Sequence, residues 1–115
     1  MTSPLQEPTF LILAALAEEP MHGYGVIQEV VALSDGRVTL RPGTLYGALD
    51  RLVEQGLVTG DHEEIVDGRL RRYYRLTDEG ACVLAAEAQR LTSNADAAVE
   101  RLRRRSGSRT RLAHG

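Results

Sequence analysis

The sequence predicts a mainly α-helical fold with one β-hairpin: three short helices, the hairpin, and then a long C-terminal helix. Three observations lead to this prediction. Apolar residues recur at helical spacing through the first half of the chain, an Asp-Gly pair separates two strand-like segments, and an apolar stripe at alternating spacings of three and four residues follows. With 115 residues, the chain is long enough for one domain of ordinary size.

Proline and glycine delimit the first two predicted helices. Pro8 lies in the first turn of the first helix, where its missing N–H costs nothing, and Pro20 is expected to close that helix. The second helix is expected to begin in the Gly-Tyr-Gly segment, residues 23–25, and to end in the Ser-Asp-Gly segment, residues 34–36.

The third helix carries the clearest signals. Pro42 marks its start, and Gly56 is the natural left-handed stop after its end. Between them Leu45, Leu49 and Leu52 recur at i, i+4 and i+7, which places them on one face of the helix. Three short helices in the first half of the chain predict a compact bundle.

The residues after Gly56 favour β structure. Residues 57–59 and 72–76 are strand-like, and Asp67-Gly68 between them is a strong hairpin signal because glycine tolerates positive φ. We therefore expect a two-stranded hairpin within residues 57–76, called the wing below.

A fourth helix is expected to begin after Thr77, which supplies its N-cap, and to run to about Arg105. At 1.5 Å per residue it would be about 40 Å long. Its apolar stripe resembles a coiled-coil seam, which predicts contact with a second copy of the chain. The predicted dimerisation residues are Leu84, Ala88, Leu91, Ala95, Ala98 and Leu102.

The net charge of −2 hides a strong segregation of charge. Residues 1–36 hold five acids and no arginine, whereas four arginines lie in residues 69–75. All fourteen basic residues are arginine, whose forked guanidinium suits phosphates and base edges, although genomic compositional bias explains this usage equally well. The clustered arginines have an alternative role, which is to keep an exposed edge strand soluble.

Three helices followed by a hairpin is the order of a winged helix-turn-helix, in which the third helix enters the DNA major groove and the wing reaches the neighbouring backbone or minor groove. We therefore expect a DNA-binding domain over residues 1–76, a dimerisation helix over 77–105 and a disordered basic tail over 106–115. The candidate DNA contacts are Pro42, Gly43, Thr44, Tyr46 and Arg51 on the recognition helix, Tyr24 and Arg41 at the DNA backbone, and Arg69, Arg71 and Arg72 on the wing. For Tyr24, a role as a core aromatic is as plausible.

Other classes of protein find less support in the sequence. The three histidines have no metal-ligand spacing and Cys82 has no neighbouring histidine, so we expect no catalytic residues, no metal and no cofactor. Cys82, flanked by alanine, is expected to be a small core residue. No secretory signal or membrane span is predicted, which favours a cytoplasmic protein. A winged-helix module that binds another protein, without DNA binding, remains the alternative.

Three segments carry a resemblance to a known family. They are HGYG at residues 22–25, PGTLYGALDRLVEQGLV at 42–58 and RRYYRLTDEG at 71–80. In order and spacing they resemble the PadR family of transcriptional regulators, and the single C-terminal helix resembles its shorter branch. The resemblance implies a homodimeric repressor of double-stranded DNA that binds palindromic operators, contacts a phosphate through Tyr24, and releases DNA when a small hydrophobic or aromatic effector binds.

Overall fold

A computed structural model describes residues 4–114, with side chains described as far as Gly107. The elements in chain order are α1 (Glu7–Ala15), β1 (Met21–His22), α2 (Gly23–Leu33), α3 (Pro42–Glu54), β2 (Val58–Val66), β3 (Arg69–Leu76) and α4 (Asp78–His114). The chain divides into two compact units, one up to Ala85 and one from Ala86 onward. Within residues 4–114, none of the helices has the length and apolar character needed to cross a membrane. The predicted fold class, helices with a hairpin and a long final helix, is confirmed.

The core of the first unit is built around α1. Its consecutive residues Leu11, Ile12 and Leu13 are all buried, so this helix is covered on more than one face. The buried residues packed with it come from α2, α3 and the start of β2: Val26, Val30, Leu45, Leu49, Leu52 and Val58. The helix ends at Ala15 rather than at Pro20, because the chain turns directly after Leu16.

The sheet has three strands in the order β1-β3-β2, so the predicted two-stranded hairpin was incomplete. The strand that was missed, β1, has only two residues and pairs Met21 with Tyr74. So short a strand leaves no alternation in the sequence. The hairpin turn is the predicted one: Asp67 at φ 52° and Gly68 at φ 77° have the two positive φ angles of a type I′ turn.

The strand β2 extends to Val66, well beyond the predicted strand-like residues 57–59. Its residues from Gly60 to Ile65 are exposed, so no apolar period marks them as a strand. The register with β3 shifts between Gly60 and His62, which places a β-bulge at Asp61.

The end of α3 and the start of α4 are joined by hydrogen bonds. Gly56 has φ 77°, and the Leu57 amide donates to the Leu52 carbonyl at 3.0 Å, which is the expected glycine C-cap. The Thr77 hydroxyl accepts from the Gly80 amide at 2.9 Å, as its predicted N-cap role requires, and donates to the Gly56 carbonyl at 2.7 Å. The first turn of α4 is therefore fixed to the corner between α3 and β2.

Two predictions about α4 were wrong. The helix continues past Arg105 to His114, through most of the segment predicted to be disordered; Gly115 lies outside the described residues. Cys82 is exposed rather than in the core, because Val83 and Leu84 are the neighbouring residues that pack against the core of the first unit. The division into domains at residues 76 and 105 stays a prediction.

Candidate nucleic-acid interface

A cleft of about 590 Å³ lies where the start of α2, the helix α3 and the wing meet. We call it the wing cleft. Its lining residues are His22, Tyr24, Tyr46, Val66, Asp67, Arg69, Leu70, Arg71 and Arg72. The structure thus brings together five of the residues selected from the sequence: two tyrosines and three arginines.

The two tyrosines of the cleft are both accessible. Tyr24 is 64% exposed and Tyr46 is 46% exposed. The alternative of a core role for Tyr24 was therefore wrong. The hydroxyl of Tyr46 lies against Gly23, where an added Cβ would overlap it, so the glycine allows the ring to lie across the start of α2. Tyr46 thus connects α3 with the first turn of α2.

The N-terminus of α3 lies outside the lining of the cleft but is open to solvent. Arg41, the N-cap residue, and Pro42, Gly43 and Thr44 are all exposed. The Leu45 amide donates the first backbone hydrogen bond of the helix, to the Arg41 carbonyl at 2.9 Å. The earlier amides are therefore available to an anion. Arg51 is likewise exposed on α3 and does not line the cleft.

The wing carries equal numbers of basic and acidic residues. Its arginines alone did not predict this balance. Its four arginines are matched by four acids on β2 and in the turn, Asp61, Glu63, Glu64 and Asp67. Two of the arginines are paired: Arg72 Nε lies 3.9 Å from Glu63 Oε1, and Arg75 Nε lies 3.5 Å from Asp61 Oδ1.

The other two arginines of the wing, Arg69 and Arg71, make no ion pair among the residues whose side chains are described. Both line the wing cleft. Within the described part of the chain, they are therefore the two wing arginines that no ion pair occupies.

Aromatic rings and carboxylates form a second cluster on the wing. The ring of Tyr73 stacks on His62 at 4.3 Å between centroids and meets His22 edge-on at 5.3 Å. His62 Nδ1 lies 2.5 Å from Asp61 Oδ2, and His62 Nε2 lies 3.2 Å from Glu64 Oε1. The hydrogen bond to Asp61 is the main cause that raises the pKa of His62, and Glu64 adds to it.

His22 differs from His62 in its surroundings. Burial, and next the charge of Arg71, lower the pKa of His22, so its neutral form is favoured. It is the N-cap residue of α2 but makes no side-chain capping hydrogen bond. Its ring makes a T-shaped contact with the ring of Tyr73 on the neighbouring strand.

Replacing His62 by glutamine should lower the melting temperature more at about pH 6 than at about pH 8. Because the folded pKa of His62 lies above its ordinary value of 6.5, the stabilisation by the protonated ring is complete below that value. It is lost as the pH rises through the raised pKa. Melting curves of both proteins across this pH range measure the difference in melting temperature. His22 is present in both proteins and therefore does not cause the difference. A difference that does not shrink as the pH rises would contradict the prediction.

The amino-acid sequence matches a family model along most of the first unit. The model is that of the transcriptional regulator PadR-like family, and it matches residues 12–86. The chain belongs to this family. The match includes the two tyrosines and three arginines of the wing cleft, and it supports the prediction of a transcriptional regulator rather than an enzyme.

Relatives and solved structures agree with this assignment. Transcriptional regulator Rv3488 of Mycobacterium tuberculosis is 39% identical to the PadR-like chain over 80 residues, which are 70% of the chain and 71% of the relative. A PadR family regulator from Eggerthella lenta superposes with a TM-score of 0.65 at 31% identity, covering 82% of this chain and 80% of its own.

A more distant structural neighbour shares the fold. It is Bacillus subtilis PadR in complex with operator DNA, with a TM-score of 0.62, 21% identity, and coverage of 70% of this chain and 47% of that one.

The predicted dimerisation stripe of the PadR-like chain divides into two parts. Leu84 is partly buried and packs against the core of its own unit, so less of its surface is available to a partner. Leu91 is 41% exposed and Leu102 is 61% exposed, and the alanines between them are exposed as well. Val99, which the sequence pattern did not include, is also exposed beside them. Among residues 4–107, the part of the stripe from Leu91 to Leu102 is therefore uncovered.

Proposed function

We propose that the PadR-like chain is a sequence-specific DNA-binding repressor that acts as a homodimer on a palindromic operator. The observation that carries the proposal is the wing cleft. In it Tyr24 and Tyr46, exposed on α2 and α3, lie beside Arg69 and Arg71, which make no ion pair among the described side chains. Family membership supports the role of a transcriptional regulator.

The cleft suits the phosphate backbone that flanks a major groove. Guanidinium groups and tyrosine hydroxyls both donate hydrogen bonds to phosphate oxygens, and such contacts fix the register of the protein on the duplex. With the backbone held in the cleft, the exposed residues of α3, Tyr46 and Arg51 among them, are the ones placed to contact base edges.

The proposed homodimer and effector response depend on α4. The uncovered stripe from Leu91 to Leu102 supports self-association, because apolar surface of this kind is stabilised by burial. The alanines of the stripe, Ala95 and Ala98, leave little side-chain volume, which would leave space beside them for a small hydrophobic or aromatic effector. Release of DNA by such an effector is otherwise supported by the PadR resemblance alone.

The purified protein should bind DNA from upstream of its own gene with a dissociation constant of about 10⁻⁸–10⁻¹⁰ M at physiological salt. Fluorescence anisotropy with that fragment and with a scrambled fragment of the same length measures it. The affinity should fall steeply with salt, because phosphate contacts release counterions. Equal curves on the two fragments would contradict sequence-specific regulation, and no binding to either would favour a protein-binding module.

Variants of Tyr46 and Arg71 should separate specificity from general affinity. Tyr46→Ala should lower operator binding and reduce discrimination against mutated operators, since each base-edge contact contributes about 1–3 kcal/mol of discrimination. Arg71→Ala should weaken binding to the operator and to random DNA alike and reduce the slope of log affinity against log salt by about 0.9.

Each of these variants has a matched control. Tyr46→Phe keeps the ring that packs against Gly23 and removes only the hydroxyl. Arg75→Ala removes the same charge from the same strand, but Arg75 is paired with Asp61 and does not line the wing cleft, so its effect should be smaller. The opposite pattern, with Arg71 setting specificity and Tyr46 general affinity, would reverse the assigned roles.

A further inference from the structure

Gly23 is a buried glycine in the first turn of α2, and the side chain of Tyr46 lies directly against it. A Cβ added at Gly23 would overlap the Tyr46 hydroxyl oxygen, and it would lie 2.7 Å from Cζ and 3.0 Å from Cε1 of the same ring. The three nearest atoms thus all belong to one side chain, and none of them belongs to the backbone. The missing side chain of Gly23 therefore creates the space that the outer end of the Tyr46 ring occupies.

Packing, rather than hydrogen bonding, orients this ring. Among the residues whose side chains are described, the Tyr46 hydroxyl makes no hydrogen bond, and the residue is 46% exposed. The hydroxyl is therefore available to DNA, while the start of α2 limits where the ring can lie.

An alanine at residue 23 would move the ring rather than disturb the fold. The φ angle of Gly23 is not positive, so its backbone accepts alanine, which also has the higher helix propensity. To restore an ordinary contact distance, the Tyr46 hydroxyl would have to move by about 1 Å. Because this oxygen is at the end of a long side chain, a rotation well below the roughly 30° that strains a rotamer is sufficient.

A displacement of about 1 Å is small for the fold but large for recognition. An O–H···O hydrogen bond spans about 2.5–3.0 Å and is lost at about 3.6 Å. We infer that Gly23 determines specificity through Tyr46, because it leaves the space that positions the tyrosine hydroxyl for its contact with the operator. Gly23 is a positioning residue in this mechanism and does not itself contact DNA. The inference deepens the proposed function and rests on it.

Gly23→Ala tests this with the full chain. Discrimination between the operator and operators mutated at single base pairs should fall by about 5–30-fold, the lower part of the range for one base-edge contact. Binding to random DNA should change little, and the slope of log affinity against log salt should stay the same, because a neutral hydroxyl releases no counterions. The melting temperature should change by less than about 5 °C, since only a side chain has to move. Fluorescence anisotropy and circular dichroism measure these quantities.

Two comparisons show whether the effect passes through Tyr46. Gly25→Ala makes the same substitution in the same helix, but its Cβ would lie at an ordinary distance of 3.4 Å from the nearest atom of the His22 ring. Its discrimination should therefore be that of the wild type. In a Tyr46→Ala background, Gly23→Ala should cause no further loss, because the side chain that it displaces is absent. The base pairs at which discrimination is lost should be the same for the two single variants.

Three results would overturn the inference while leaving the proposed function intact. The first is wild-type discrimination by Gly23→Ala when Tyr46→Ala has lost it. The second is a further loss in the Tyr46→Ala background. The third is equal weakening on operator and random DNA, or a fall in melting temperature of more than about 10 °C, either of which would make Gly23 a purely structural residue.

The failure of the proposed function would give different results. A wild-type protein that fails to distinguish the operator from random DNA at any salt concentration would contradict the proposed function and, with it, the inference. Full discrimination by Tyr46→Ala would show that this tyrosine does not read the operator, and would likewise contradict both.

Discussion

Placing glutamates at Leu91 and Leu102 should convert the proposed dimer into a monomer and weaken operator binding by about 10²–10⁴-fold. Both leucines are exposed on α4, and burying a leucine side chain stabilises an association by roughly 1.5–3 kcal/mol. A two-fold dimer buries each leucine twice, so the double variant removes four such contributions and introduces four charges. A monomer contacts one half-site only and therefore lacks the affinity that a dimer gains by binding both half-sites at once.

Sedimentation equilibrium and anisotropy on the same samples measure the two effects. Ser93→Glu is the matched control: Ser93 is exposed two residues from Leu91 and therefore on the opposite face of α4, so its dimer should persist. Truncation gives an independent check. A chain that ends at Leu84 should be monomeric or aggregate, whereas one that ends at Arg105 should stay dimeric. A soluble dimer of the shorter chain would contradict the assignment of α4.

The proposed dimer would also determine the geometry of the operator. Two recognition helices reach successive major grooves when they are about 34–36 Å apart, so the half-sites should be centred one helical turn apart. Inserting five base pairs, about half a turn, between the half-sites should reduce the affinity of the dimer to that of a single half-site. The monomeric variant should be insensitive to the same insertion.

Elements whose ends have specific backbone chemistry could be predicted from the sequence. Pro42 and Gly56 delimit α3 because one residue fits the first helical turn and the other adopts the left-handed conformation after it. Asp67-Gly68 likewise fixed the wing turn. The strand β1 could not be predicted, because its two residues become a strand only by pairing with Tyr73 and Tyr74. Its existence is a property of the assembled sheet.

The pairing of acids with arginines across the wing could have been predicted from the sequence. A two-residue turn at 67–68 fixes the register outward from Val66 and Arg69, so the opposition of Glu63 to Arg72 follows from counting. The sequence prediction considered the arginines of the wing but not the acids opposite them. The bulge at Asp61 is different, since it shifts the register beyond His62 and no residue type in the sequence signals it. The contact of Tyr46 with Gly23 is also tertiary, and depends on how α2 and α3 cross.

Gly80→Ala should destabilise the protein by about 3 kcal/mol, although the same substitution usually stabilises a helix. A Cβ at Gly80 would overlap the carbonyl oxygen of Leu57, a backbone atom that cannot rotate away, and would lie 2.8 Å from Leu76 Cδ1. The first turn of α4 must then separate from the α3–β2 corner, which breaks the 2.7 Å hydrogen bond from Thr77 to Gly56.

The expected fall in melting temperature is roughly 10–20 °C for a domain of this size, measured by circular dichroism. Gly107→Ala is the control within the same helix. Among the described residues, nothing lies within 4 Å of a Cβ at Gly107, so there the higher helix propensity of alanine should leave the protein unchanged or stabilise it by up to about 1 kcal/mol. Gly80→Val should be worse than Gly80→Ala, because its branches add bulk at the same carbonyl. Equal melting temperatures for the two alanine variants would show that α4 is not held at this corner, and that its first turn yields to a single methyl group.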